Sequence, residues 1–297
     1  KNVEIVFKSS PFGSQSHGYE AQNSFLLYAF GERLLIRTGR RDSYGSKHHT
    51  EWMWHTKSTN CITVNGESQG KRSASATGEI IAFHTSAPFD YVAGEAGRAY
   101  GDKLKRFTRS ILFVKPELIV VYDRLEAPMP SVFEWRLHSP TKMVVRDQNS
   151  IQVTNRNAAC RVSLLSPAEL KLSLTDKFDP PPRPRVKLVE WHLKAQTPEP
   201  AKRVEFVTVI RPHRTSERPP TGAHLRAIEN GYALEAELTS GRALVLMRAS
   251  DEGRVQFGGV STEAELAGLR FDRSGNPVDC LVVEERKVRT GRGTTLF

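Results

Sequence analysis

Ser16 to Gly39 reads SHGYEAQNSFLLYAFGERLLIRTG and places an imidazole, His17, and an amide, Asn23, at the mouth of an apolar strand pair turned by Gly31. Histidine, with an unperturbed pKa of about 6.5, can give or take a proton near neutrality. The same ring could instead anchor its loop to the strand, and Asn23 could cap the strand or orient His17. Tyr44, His48 and His49 follow in a polar, Gly-containing loop, YGSKHH, and then come Trp52 and Trp54. An indole can stack its apolar face on a sugar ring or fill a sheet edge. Cations crowd the same region at Arg33, Arg37, Arg40, Arg41 and Lys47, and a second set, Lys103, Lys105, Arg106 and Arg109, lies in GDKLKRFTR.

The rest of the 297-residue chain has to position these groups. Forty-three Lys and Arg face 33 Asp and Glu, a net charge of +10. That balance points to an anionic partner (nucleic acid, acidic glycan or membrane surface) or to a generally basic, well-solvated exterior. Nucleic acid is disfavoured because neither a recognition helix nor an RNP-like aromatic strand is recognisable. Membrane spanning is disfavoured because no apolar run approaches about 20 residues. The three cysteines are widely spaced and form no CxxC pair, so they supply neither a zinc ribbon nor a disulfide framework; Cys61 and Cys160 read as core thiols. The chain opens at Lys1 almost directly on VEIVF, as an excised domain would.

Short segments rich in β-branched and aromatic residues recur between Gly, Pro, Asn and Ser: SFLLYAF, CITVNG, EIIAFHT, FTRSILFV, LIVVYDRL, SVFEWRL, SIQVTN, RVSLLS, VKLVEWHL, RVEFVTVI, YALEAEL, RALVLMR and CLVVEE. Asn230-Gly231 between two such runs signals a hairpin. Only short fragments such as STEAELAGL hint at helix. The expectation is an all-β protein, a large antiparallel β-sandwich of stacked sheets with few short helices. DKFDPPPRPR cannot be a central strand, because consecutive prolines remove backbone donors. We therefore read 1–178 as the N-terminal part of the sandwich, 179–186 as a Pro-rich connector, and 187–297 as the C-terminal part of the same sandwich.

The opening stretch resembles a motif of the form SHxHxDQNSFxLYAFGExLLIDSG, followed by YGSPHH and KAHNxIxVNG, of the heparinase II/III-like C-terminal domain of polysaccharide lyases. Here the corresponding residues are SHGYEAQNSFLLYAFGERLLIRTG, YGSKHH and KSTNCITVNG; FDYVAGEAGRAYGDKLKRFTRSILFVKPELIVVYDRLEAP and VFEWRLHSP continue the likeness from about Phe7 to Pro140. The resemblance implies a β-sandwich paired with an N-terminal α/α toroid and a cleft between them. The activity it implies is β-elimination on uronate-containing polysaccharides such as alginate or glycosaminoglycans, in a bacterial periplasmic or secreted setting.

β-Elimination needs the uronate carboxylate neutralised, a base for the C5 proton and an acid for the departing 4-oxygen. By the resemblance, His17 corresponds to the catalytic histidine, as base or carboxylate partner; Tyr44 is the best proton-donor candidate within this chain, although the resemblance puts the main catalytic tyrosine on the toroid. Asn23, Arg37, Arg40, Arg41, His48, His49, Trp52 and Arg106 are the candidates for binding an acidic polysaccharide. Edge-strand cations that deter aggregation are the alternative reading of the Lys103–Arg109 set. Some relatives bind zinc through the second His of the pair, the LLID aspartate and the KAHN histidine. Those positions here are Tyr19, Arg37 and Thr59, so no metal is expected. Glu20, Asp42, His48, His49 and His55 are the remaining candidates for a replacement site, although adjacent His48 and His49 would point apart on a strand. The loss also leaves open a non-catalytic glycan-binding or structural module.

Overall fold

Two apolar runs, ILFV and LIVVY, lie in neighbouring antiparallel strands, Arg106–Val114 and Leu118–Ser131. Their side chains alternate between two different cores. Ile111, Phe113, Ile119 and Val121 enter one; Leu112, Val114, Leu118 and Val120 enter the other. A strand covered on both faces has no solvent side to carry polar residues, which explains the unbroken apolar sequence. In this computed structural model, residues 3–15, 18–284 and 286–297 are described.

The two strands belong to an eight-stranded antiparallel sheet, the middle layer of a three-layer stack. Its spatial order is Met143–Asp147, Ser150–Asn155, Ala158–Ser166, Ala201–Arg214, Leu118–Ser131, Arg106–Val114, Phe89–Glu95 and Glu79–Thr85. A three-stranded sheet (Val3–Lys8, Ser24–Ala29, Glu32–Leu35) and a four-stranded sheet (Lys171–Thr175, Trp191–Gln196, Phe133–Ser139, Ile62–Val64) cover one face. A six-stranded sheet spanning Ala223–Arg292 covers the other. The expected all-β sandwich is thus present, and the short helices His48–Met53, Thr56–Ser58 and Gly97–Lys103 sit in its connections.

Three local expectations change. STEAELAGL is strand rather than helix: Ala267, Leu269 and Phe271 face one core, while Gly268 faces Leu112 on the other side. Burial between two layers overrides its helix propensity. The hairpin at Asn230 exists, but Ile228 pairs with Gly231, so Glu229 and Asn230 form the turn and Asn230 takes φ 62°. VKLVEWHL becomes strand only from Trp191. The Pro-rich segment before it joins two adjacent strands of one sheet, Lys171–Thr175 and Trp191–Gln196, as a long surface strap.

The three sheets meet at a buried ion pair. Arg109, expected among the surface cations, is fully buried. Its Nε and Nη2 donate to the two Asp123 oxygens at 2.6 and 2.9 Å. Its Nη1 donates to the Asn23 and Asn60 carbonyls at 2.8 and 2.9 Å. Trp135 Nε1 donates to Asp123 at 3.0 Å. Asn23 is therefore an interior anchor and not a substrate contact: its Nδ2 donates to the Gly94 and Phe107 carbonyls, both at 2.9 Å. Asn60 likewise donates to Phe25 O and accepts from His138 N. Removing one partner would leave a buried charge uncompensated, a loss of about 3–5 kcal/mol. Asp123→Asn should lower unfolding free energy in a denaturant titration by about that amount; a change below about 1 kcal/mol would show that the pair is not the tie described.

Candidate active site

Four connections converge at one end of the three- and four-stranded sheets: residues 9–22, 36–58, 66–78 and the strap. Gly13, at φ 64°, lets the first of these touch the third, because a Cβ there would lie 2.4 Å from the Ser73 carbonyl. Ser14 then bonds Ser73 O and Gly70 O. Gly39, at φ 90°, lets the second loop fold over its own helix; a Cβ would meet Trp52 and Met53 at 2.8 and 2.9 Å. Between the first three of these opens a cavity of about 230 Å³, lined by Gln15, Gly18, Tyr19, Arg41, Tyr44, His49, Met53, Trp54 and Arg72.

The cavity is aromatic on one side and cationic on another. The Tyr44 and His49 rings are 5.4 Å apart, and His49 and Trp54 are 4.7 Å apart. The Arg72 guanidinium lies 4.1 Å over the Trp54 ring, a cation–π contact that holds its position. His49 Nδ1 accepts the Gly45 N–H at 3.0 Å, which leaves the ring proton on Nε2. Burial, followed by the charge of Arg41, lowers its pKa, so the ring is neutral at pH 7 and acts as a donor. Tyr44 is 69% exposed, so its hydroxyl is open to an incoming ligand.

The candidate residues divide accordingly. Arg41, Tyr44 and His49 line the cavity; Arg40 is exposed beside it. His17 lies outside the described residues, though Gly18 and Tyr19 line the cavity. Trp52 is buried and donates to Thr38 Oγ1 at 3.3 Å, so Trp54 is the indole that faces the cavity. His48 is buried and donates Nδ1–H to the Pro180 carbonyl at 2.8 Å. It shares one wide helical turn with His49, not a strand, yet the two rings serve opposite sides. Arg106 pairs with Asp251 at 2.6 Å and ties two sheets together instead of meeting ligand here. Arg72 was missed because it sits in KRSASATGE, where no periodicity marks it, and its φ of 47° is invisible to composition.

The family's metal positions hold a different device. The Arg37 guanidinium lies 3.6 Å over the Tyr19 ring and donates to the Met53 carbonyl. Arg37 thus faces inward onto these groups and leaves the cavity wall to Arg41 and Arg72. Thr59 Oγ1 donates to Thr56 O at 2.8 Å. A guanidinium offers no lone pair to a metal, so these three side chains do not fit a zinc ion. Among the described residues, no three His, Cys, Asp or Glu side chains gather closely enough to share one. Asp42 instead accepts from Ser43 N, Ser46 Oγ and Arg183 N. Burial alone would raise its pKa, but those hydrogen bonds hold it down at about 2.

Glu20 supports the cavity from behind. Its carboxylate accepts from Ser68, its carbonyl accepts from Thr56 Oγ1 at 2.7 Å, and burial raises its pKa to about 7. The folded state then binds the Glu20 proton more tightly than the unfolded chain, so stability falls as pH rises from about 4.5 to 7. That loss is on the order of 2–3 kcal/mol. Glu20→Gln should flatten the unfolding free energy across this window; persistence of the same slope in the variant would rule out Glu20 as its source.

A family model described as heparinase II/III-like, C-terminal, matches residues 1–204. No curated protein matches the sequence. Among solved structures, the heparan sulfate lyase HepC from Pedobacter heparinus aligns with a TM-score of 0.68 at 16% identity, covering 85% of this chain and 40% of that one. A heparinase III gene product aligns with a TM-score of 0.68 at 14% identity, covering 83% and 39%. The chain therefore spans about 40% of the length of these enzymes, and at such identity the likeness is one of fold. With more than half its length matched, the chain belongs to the heparinase II/III-like C-terminal domain family.

Proposed function

We propose that this domain supplies the sandwich side of a lyase cleft that binds an acidic, uronate-containing glycan and takes part in β-elimination. The observation that carries the reading is the cavity itself, which brings a phenol, a neutral imidazole donor, two guanidiniums and an indole to one concave surface. Arg41, Arg72 and the His49 Nε2–H can bind the carboxylate and stabilise the charge that grows on it as the C5 proton leaves. The Trp54 face can support the ring. The Tyr44 hydroxyl is the proposed acid for the departing 4-oxygen, supported by its exposure at the cavity, and His17 is the proposed base. A helical toroid would complete the cleft, and a polymeric substrate of this kind implies a periplasmic or secreted location.

The Tyr19–Arg37 stack, standing where relatives carry metal ligands, favours a second reading: a binding module without turnover. Loss of one charge-assisted contact costs about 1.5–3 kcal/mol, so Arg72→Ala should weaken uronate oligosaccharide binding roughly 10–100-fold. Tyr44→Phe should leave affinity nearly unchanged but abolish formation of ultraviolet-absorbing unsaturated uronate. Binding without product when the domain is joined to its toroid would select the module; affinity indifferent to Arg72→Ala would remove the cavity from either reading.

A further inference from the structure

The Pro-rich strap is pinned onto the loop that carries Arg41, Tyr44 and His49. Phe178 is buried edge-on against Trp52 at 5.1 Å and against His48 at 5.2 Å. The Pro180 carbonyl accepts from His48, the Arg183 N–H donates to Asp42 at 2.8 Å, and Arg185 Nη2 donates to the Asp42 carbonyl at 2.5 Å. At the far end Glu190 accepts from Gly39 N at 2.8 Å. A surface loop gains little from so many attachments unless its outer face has to stay in place.

That outer face is cationic. A turn closed by Val186 N to Arg183 O exposes Arg183 and Arg185. From Arg185 onward exposure alternates, with Lys187 and Val189 outward and Val186, Leu188 and Glu190 turned in. No acidic residue occurs between Pro180 and Val189. The attachment point Asp42 follows exposed Arg40 and Arg41, and Ser46, which bonds Asp42, precedes exposed Lys47. Among the described residues, Arg40, Arg183 and Lys187 carry no ion pair. Uncompensated like charges held together by a rigid backbone form a surface that an extended polyanion can neutralise. Arg side chains suit planar carboxylates and sulfates.

We propose that the strap, latched on Asp42, forms with Arg40 and Lys47 a cationic track on the loop that carries Arg41 of the cavity, and binds the anionic groups of neighbouring units of the same glycan chain. The inference rests on the glycan reading of the cavity and adds a second, chain-length-dependent contact to it. Its mark is selectivity for long chains over short ones, together with a steep salt dependence.

The test compares the parent, Arg183→Glu/Lys187→Glu and Arg72→Ala, each titrated with a uronate disaccharide, a long uronate polymer and duplex DNA at low and moderate salt. Both strap positions are exposed, and the double variant keeps the Arg183 backbone bond to Asp42, so the fold should be retained. The double variant should lose about tenfold or more in affinity for the long polymer at low salt and keep the parent's disaccharide affinity. Parent-like polymer binding by the double variant, with loss in Arg72→Ala, would overturn the track and leave the cavity reading standing. Absence of any glycan binding by the parent would overturn both. Duplex DNA bound as tightly as the polymer would replace the glycan track with an unselective polyanion surface.

Discussion

One buried guanidinium–carboxylate pair holds the layers of this domain in register. Arg109 and Asp123 face each other across adjacent strands of the middle sheet, and the two remaining Arg109 contacts are the carbonyls of Asn23 and Asn60, which lead into strands of the two covering sheets. Such a pair stabilises only when every donor is satisfied, because the desolvation cost of two charges is large. Here Asn23, Asn60 and Trp135 complete the shell. The loops that build the cavity leave the sandwich close to these residues: 9–22 precede Asn23, and 36–58 precede Asn60. The site therefore takes its position from a polar knot inside an apolar core.

Much of the architecture was legible in the residue pattern, and the reasons are specific. Unbroken apolar runs at residues 111–114 and 118–122 are the signature of strands covered on both faces. Even the buried pair left a trace: Arg109 shares its phase with Phe107, Ile111 and Phe113, and Asp123 shares its phase with Ile119, Val121 and Leu125. A charge in phase with the core residues of each strand is a hint of pairing. What the pattern could not show was distance along the chain. Asn23 sits beside His17 in sequence, yet its partners are 71 and 84 residues away. Local neighbourhood suggested a ligand contact; tertiary closure made it an anchor.

At the site the same limit acted in both directions. The motif loop contained Arg41, Tyr44 and His49, which the cavity gathers, and also Trp52 and His48, whose rings turn to the opposite side. Residue type was a poor guide to which side of a single helical turn each ring occupies. Arg72 arrives from a separate polar loop and is held by its stack on Trp54. Arg37 stacked on Tyr19 places there a guanidinium, which has no lone pair to offer a metal ion.

The family match ends at residue 204, the fourth residue of the strand Ala201–Arg214. That strand lies between Ala158–Ser166 and Leu118–Ser131, in the interior of the middle sheet, and the six-stranded layer beyond it packs on one side of that sheet. The segment shared by descent is thus smaller than the segment that can close a core. A chain cut at residue 204 would split an interior strand and uncover the core that the six-stranded layer closes.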